Sequence, residues 1–504
     1  MTTEPRPTGP DSTADALRRI VIVGGGTAGW MAAAAFARFL GPRMTITLVE
    51  SDAIGTVGVG EATIPGIRTF NAGLGIDEAD FLRATGGSYK LGIEFVDWGV
   101  PGERYVHAFG EIGPSLGLIG FVPYWQRWRA AGGALDLWDF SAAALAARAG
   151  RFAPPQGATP LAWAYHFDAS LYAAYLRRRA EGQGVVRREG RIVEVLRDGE
   201  GGDITAVRLD GGDTVAGDLF VDCSGFVGLL IERSLASGYE DWTHWLPCDR
   251  ALAVPSERAA QIIPLTRSTA KVAGWQWRIP LQHRTGNGLV YASAHLSDEC
   301  AADTLMAGLD TPAIGDPRPI RFTTGMRRTQ WSRNCVALGL AAGFVEPLES
   351  TSIHLIQQGI AELLRLMPAT RDWAAERAQF NRRMRFEFES VRDFVMLHYH
   401  ATRREGPLWE ACRSMTLPDT LAARLDLYRS GGRVIRFDEE LFSPVAWTQV
   451  LHGQGIAPRG WHPIANAASD AEVSAAMTRA AREAAALAAS LPDHTAWLER
   501  LSVS

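Results

Sequence analysis

The first clear pattern along the chain is the run Ile-Val-Ile-Val at 20–23, apolar and β-branched throughout and of strand length. An alanine-rich stretch with helical spacing follows at once, and a second apolar run occupies 44–49. Apolar runs return at 218–225 and 334–343, each closing in a small-residue turn. Strands buried on both faces and far apart in sequence are what one open, doubly wound parallel sheet requires. The stretch 185–200 with 204–209 reads as a β-meander, and alternation at 274–280 and 289–294 predicts an antiparallel lobe over about 245–330. Residues 69–91 read as helix, turn, helix, leading into a strand-like alternation at 88–96. Helical spacing predicts further helices near 121–131, 140–150, 168–182, 352–366, 371–402 and 469–487. The fold class is therefore α/β, Rossmann-like, with an antiparallel lobe and a mostly helical C-terminal region.

Composition narrows the class without naming a chemistry. At 504 residues the chain is long enough for two or three domains, or one large domain carrying a lobe. A formal charge of −5 argues against a nucleic-acid or anionic-membrane surface, which would want a basic balance. Five scattered cysteines, none in a C-x-x-C pair, read as reduced thiols of a cytoplasmic protein and offer no metal site. Residues 1–17 read as a disordered tail with no apolar signal segment, and no run is long and apolar enough to span a membrane.

Candidate chemistry begins at the turn after the first strand. Gly24, Gly26 and Gly29 stand on a G-x-G-x-x-G spacing within GGGTAG, and Glu50 ends the next strand. The first glycine makes the sharp turn, the second lets backbone approach a pyrophosphate, and the third allows close helix–strand packing. The helix start offers free N–H groups and a positive dipole end to phosphates, and Glu50 is placed to accept hydrogen bonds from a ribose. Gly24, Gly25, Gly26, Thr27, Ala28, Gly29 and Glu50 are thus expected to bind a dinucleotide. The glycine- and proline-rich stretch GTVGVGEATIP at 55–65 marks a second loop lying against something flat or charged.

GGGTAGW at 24–30, GWQWRIP at 274–280 and EPLEST at 346–351, together with GVGEATIP, SYK at 88–90, YVHAFG at 105–110, YHFD at 165–168 and DCSG at 222–225, resemble the flavin-dependent tryptophan halogenases in the same order. The resemblance covers about 18 to 465. It implies FAD, used as FADH2 delivered by a separate NAD(P)H-dependent flavin reductase, since no second nucleotide fingerprint is present. It implies that hypohalous acid, made with O2 from chloride or bromide, travels through an internal tunnel to a small aromatic substrate. Lys90 matches the family's lysine that holds this species, and Glu349 its glutamate that orients the electrophile or takes the ring proton. Glu346, three residues earlier, is the competing carboxylate, and Pro347 makes the segment a turn that points the two apart.

By the same resemblance Thr351 and Ser352 present backbone amides to the halide. Ser352 stands where the family usually has glycine. Ala62, Leu340 and Ile353 match flavin-contacting positions. Trp275 and Trp277, alternating on a strand, share a face, as ordinary core packing or as one aromatic wall; the resemblance implies that they keep flavin chemistry off the substrate. His107, Phe109 and Phe442 match the residues that sandwich the indole. The segment 437–442 is shorter than the family's tyrosine-rich counterpart and lacks tyrosine, so plain indole or another indole-bearing compound fits as well as tryptophan. Residues 18–350 are expected to form the FAD module and 351–504 a helical substrate region packed on it, with a homodimer as the family's habit. An aromatic hydroxylase of the monooxygenase type, or a flavin-binding protein without turnover, are the competing readings.

Overall fold

The computed structural model describes residues 17–55, 60–155, 157, 161–199, 202–368 and 370–503. The tail expected over 1–17 lies outside them except for Leu17, whose side chain is buried in the core. Residues 56–59 of the second glycine-rich loop also lie outside them.

The main sheet has six strands in the order Trp331–Ser332, Cys335–Ala337, Leu219–Asp222, Arg19–Val23, Thr45–Glu50 and Val186–Glu189. All pairings are parallel except the edge strand Trp331–Ser332. The central strands are almost wholly buried, as expected for apolar runs covered on both faces. The chain crosses from the first strand through helix Thr27–Leu40, whose alanine-rich face packs inward against helices Ala169–Gly182 and Ser352–Arg365.

The expected meander divides between two sheets. Its first strand, Val186–Glu189, joins the main sheet beside Thr45–Glu50, and only Ile192–Arg197, Ile204–Leu209 and Thr214–Ala216 form an antiparallel trio.

The antiparallel lobe is a seven-stranded mixed sheet, and it reaches further back in sequence than 245–330. Its order is Arg318–Arg321, Arg250–Glu257, Arg284–Tyr291, Gly274–Pro280, Thr266–Lys271, Gly92–Val96 and Arg104–Ala108. Thr266–Lys271 pairs in parallel with Gly92–Val96, which carries His107 and the tryptophan pair onto one sheet. A separate three-stranded sheet joins Gly60–Ala62 and Ser88–Lys90 through Ala164–Asp168. Helix Ala374–His400 runs behind the site, and helix Asp470–Ser490 covers Leu137–Phe140 and Ala142–Arg148. Among the described residues no helix is long and apolar enough to cross a membrane.

Candidate active site

The glycine turn opens a cavity of about 840 Å³, within the range of cofactor sites. Gly24, Gly25, Gly26, Thr27, Ala28 and Glu50 line one end of it, and Ala62, Trp275, Trp277, Leu340, Ser352 and Ile353 line the rest. Gly24 needs its φ of +112°, and a Cβ there would sit 2.3 Å from the Cys223 carbonyl oxygen. At Gly26 a Cβ would meet no atom of the described residues within 4 Å, so that backbone faces open space at the start of the helix. Free N–H groups at the helix start and a largely apolar lining suit a dinucleotide bearing a flat ring system, and the residues present fit FAD.

One expectation about that cradle changes, and another gains a partner. Gly29 does not line the cavity: its Cβ position lies 1.9 Å from the Gly24 carbonyl oxygen, so the glycine serves the turn's closure and touches no ligand space. Glu50 lines the cavity, and one carboxylate oxygen is already held by Arg187 Nε at 2.5 Å, leaving the other for a ribose.

On the far side of the cavity the chain makes a tight turn at Pro347–Glu349 and enters helix Ser352–Arg365 through Ser350 and Thr351. Ser350 has φ +60°, a left-handed conformation that a serine holds only when its surroundings dictate it. Its hydroxyl accepts a 2.6 Å hydrogen bond from Lys90 Nζ, and Ser350 itself lines the cavity. Lys90, on the short strand Ser88–Lys90, is fully buried, with Nζ 5.2 Å from the centre of the Phe109 ring. Burial lowers its ammonium from 10.5 to about 7, against the opposing pull of Glu349. Thr351 is buried, does not line the cavity, and among the described residues has no hydrogen-bond partner for its hydroxyl; Ser352 does line it. The first N–H groups of that helix have no intrahelical acceptor.

Glu346 and Glu349 do point apart. Glu346 Oε2 accepts from Trp275 Nε1 at 2.8 Å and from the Tyr399 hydroxyl at 2.6 Å, and burial raises the carboxyl to about 7. Glu349 Oε2 lies 2.7 Å from His107 Nδ1, and Oε1 lies 2.8 Å from His398 Nε2. Burial raises the Glu349 carboxyl, but the two imidazoles outweigh it and bring the group to about 2. Lys90 and Glu349 therefore converge on the same turn, one through Ser350 and the other directly.

Of the residues expected around the substrate ring, His107 and Phe442 lie near each other and near Phe394. Phe442 stacks on Phe394, with ring centres 3.7 Å apart and planes at 19°, and stands 6.2 Å from His107 at 48°. His107 is committed to Glu349 as well as to any ring it meets. Trp275 and Trp277 do line the cavity together, 6.1 Å apart. Ser350, Phe394 and His398 were missed from sequence. A histidine inside the apolar run 394–399 was the available signal; Ser350 carried none. Among the described residues no His, Cys, Asp or Glu cluster could hold a metal.

A profile of the tryptophan halogenase family matches residues 19–470. The tryptophan 6-halogenase SttH of Streptomyces toxytricini is 37% identical over 444 residues, 82% of this chain and 84% of that protein. The solved flavin-dependent halogenase Xcc4156 from Xanthomonas campestris is 48% identical with a TM-score of 0.94, covering 96% of this chain and 98% of that one. The flavin-dependent halogenase BrvH from Brevundimonas sp. BAL3 is 44% identical with a TM-score of 0.92, covering 96% and 99%.

Proposed function

The chain belongs to the tryptophan halogenase family, and from that premise we propose that it halogenates an indole-type aromatic ring with chloride or bromide, using Lys90 and Glu349. The chemistry supplied by reduced FAD with O2 is the conversion of halide into hypohalous acid. Gly24 to Ala28, Glu50, Ala62, Leu340 and Ile353 hold the cofactor, and the amides of Thr351 and Ser352 hold the halide at a helix start. Lys90, poised near neutrality, donates a hydrogen bond to the hypohalous acid or takes up the halogen as a haloamine, and the Ser350 hydroxyl fixes its direction. Glu349 orients the electrophile and accepts the proton that leaves the ring carbon. His107 and Phe109 present the ring, and Phe442 closes over it. Trp275 and Trp277 wall the ring off from direct oxygen transfer. A separate NAD(P)H-dependent reductase supplies the reduced flavin, since the chain shows one dinucleotide fingerprint.

The observation that carries this reading is a fully buried lysine bonded to a cavity-lining serine whose neighbour in sequence is the buried Glu349. The test is mass spectrometry of indole and of tryptophan after incubation with reductase, NADH, FAD and either halide. A product heavier by one halogen is expected. A hydroxylated product in its place overturns the reading.

A further inference from the structure

The segments YHFD, SYK and GWQWRIP meet at one buried side chain. His166 stands on the strand Ala164–Asp168, opposite Ala62 on one neighbouring strand and Ser88 on the other. Ala62 lines the cofactor cavity, and Ser88 opens the three-residue strand that ends in Lys90. Both ring nitrogens of His166 meet hydroxyls. Nδ1 lies 3.1 Å from Ser88 Oγ, and Nε2 lies 2.9 Å from Thr266 Oγ1. Thr266, like Ala62, lines the cavity.

The hydroxyl hydrogens set the direction of each bond. Ser88 donates its one hydrogen to the Pro280 carbonyl oxygen at 2.6 Å. Towards His166 it can only accept, so Nδ1 carries a hydrogen. His166 is fully buried, neither of its hydrogen-bond partners is a carboxylate, and the titratable groups that act on it are Lys90 and His494. Burial first, and then those two groups, hold its imidazolium well below the ordinary 6.5, so the ring is neutral and Nε2 is a bare acceptor. Thr266 therefore donates its one hydrogen to Nε2, and its oxygen keeps only lone pairs for any further partner.

We propose that His166 is a positioning residue, kept as the Nδ1–H tautomer, that makes Thr266 a hydrogen-bond acceptor for a donor group of FAD. A flavin carries donors of both kinds, N–H on its ring and O–H on its ribityl chain. The proposal rests on the reading of the cavity as the FAD site. Through Ser88 the same imidazole braces the strand of Lys90, so one ring touches both the cofactor wall and the strand of the proposed catalytic amine.

Four substitutions and one spectrum test this. Thr266→Val keeps the shape and removes the hydroxyl; it should weaken FAD binding about fivefold in a flavin fluorescence titration without turnover, while Thr266→Ser binds as wild type does. His166→Gln sets an amide oxygen where Nε2 stands and keeps Thr266 an acceptor, so its FAD affinity should stay near wild type. His166→Asn sets an amide N–H where Nδ1–H stands and leaves Thr266 without its acceptor, so it should bind FAD as weakly as Thr266→Val. A role in packing alone would weaken the Gln and Asn variants alike, which overturns the proposal, as does wild-type affinity in Thr266→Val. Nitrogen NMR of the histidine-labelled chain without cofactor should show His166, identified as the resonance that Thr266→Val moves, with a protonated Nδ1 and a bare Nε2 between about pH 6 and pH 8. A protonated Nε2 overturns the proposal even if neither variant at position 166 folds. If the wild type binds no FAD, the reading of the cavity fails, and the spectrum still decides the tautomer of His166.

Discussion

Lys90 Nζ and Ser350 Oγ meet at 2.6 Å although 260 positions separate them in the chain. The contact ties the one buried amine of the site to a residue whose backbone is held at φ +60° at the edge of the cofactor cavity. Ser350→Gly relieves that backbone and removes the hydroxyl. Ser350→Ala removes only the hydroxyl. Both variants should lose about tenfold in kcat through a misdirected amine. Ser350→Ala should also lose about 1 kcal/mol of stability, while Ser350→Gly stays closer to wild type. Steady-state rates and denaturant unfolding of the two variants check this.

The protonation of Lys90 makes stability depend on pH. In the folded chain its ammonium is lowered from 10.5 to about 7, so between those values the unfolded chain binds the proton and the folded chain does not. Stability linked to this group therefore rises with pH across that window. Lys90→Met should abolish the gain, which is about 2 kcal/mol between roughly pH 7 and pH 9. Urea unfolding of the wild type and the variant at those two pH values measures it.

Periodicity made the cofactor module readable, because strand, glycine turn, helix and acid lie within about thirty residues and each leaves a local signature. Lys90 and Glu349 were legible only through the resemblance, since nothing local distinguishes a buried lysine from an exposed one. The contacts that tune them were not legible at all. His107 reaches Glu349 across 242 positions, and Glu346 reaches Trp275 across 71, pairings set by how sheets and helices pack. The parallel junction of Thr266–Lys271 with Gly92–Val96 was hidden for the same reason. The stacking of Phe442 on Phe394 depends on side-chain packing that a sequence pattern does not encode.

Trp275 anchors Glu346 as well as walling the cavity. Trp275→Phe keeps the aromatic surface but leaves a buried carboxyl with Tyr399 as its remaining donor, at an expected cost of about 1–3 kcal/mol. Glu346 is raised from 4.5 to about 7 in the folded chain, so its linked stability is full below the lower value and is lost as pH rises to the upper one. Removing the indole donor raises the carboxyl further, so the variant should lose more stability than the wild type between about pH 5 and pH 8. Thermal unfolding at both pH values reads the difference.

Gly26 and Gly29 should fail differently. A Cβ at Gly29 would lie 1.9 Å from the Gly24 carbonyl oxygen, whereas one at Gly26 meets no atom of the described residues within 4 Å. Gly29→Ala should distort the turn and lower the melting temperature together with flavin affinity. Gly26→Ala should melt like wild type and bind flavin about tenfold or more weakly, because its methyl enters the space left for phosphate. Flavin fluorescence titration and melting curves separate the two.

The central claim is that halogenating power reaches the aromatic ring through Lys90. Its most direct test is the yield of halogenated product per NADH consumed, measured with reductase, FAD and halide for the wild type and for Lys90→Ala. The account predicts continued NADH consumption in the variant with halogenated product reduced by about a hundredfold or more. Wild-type product yield from Lys90→Ala would contradict it.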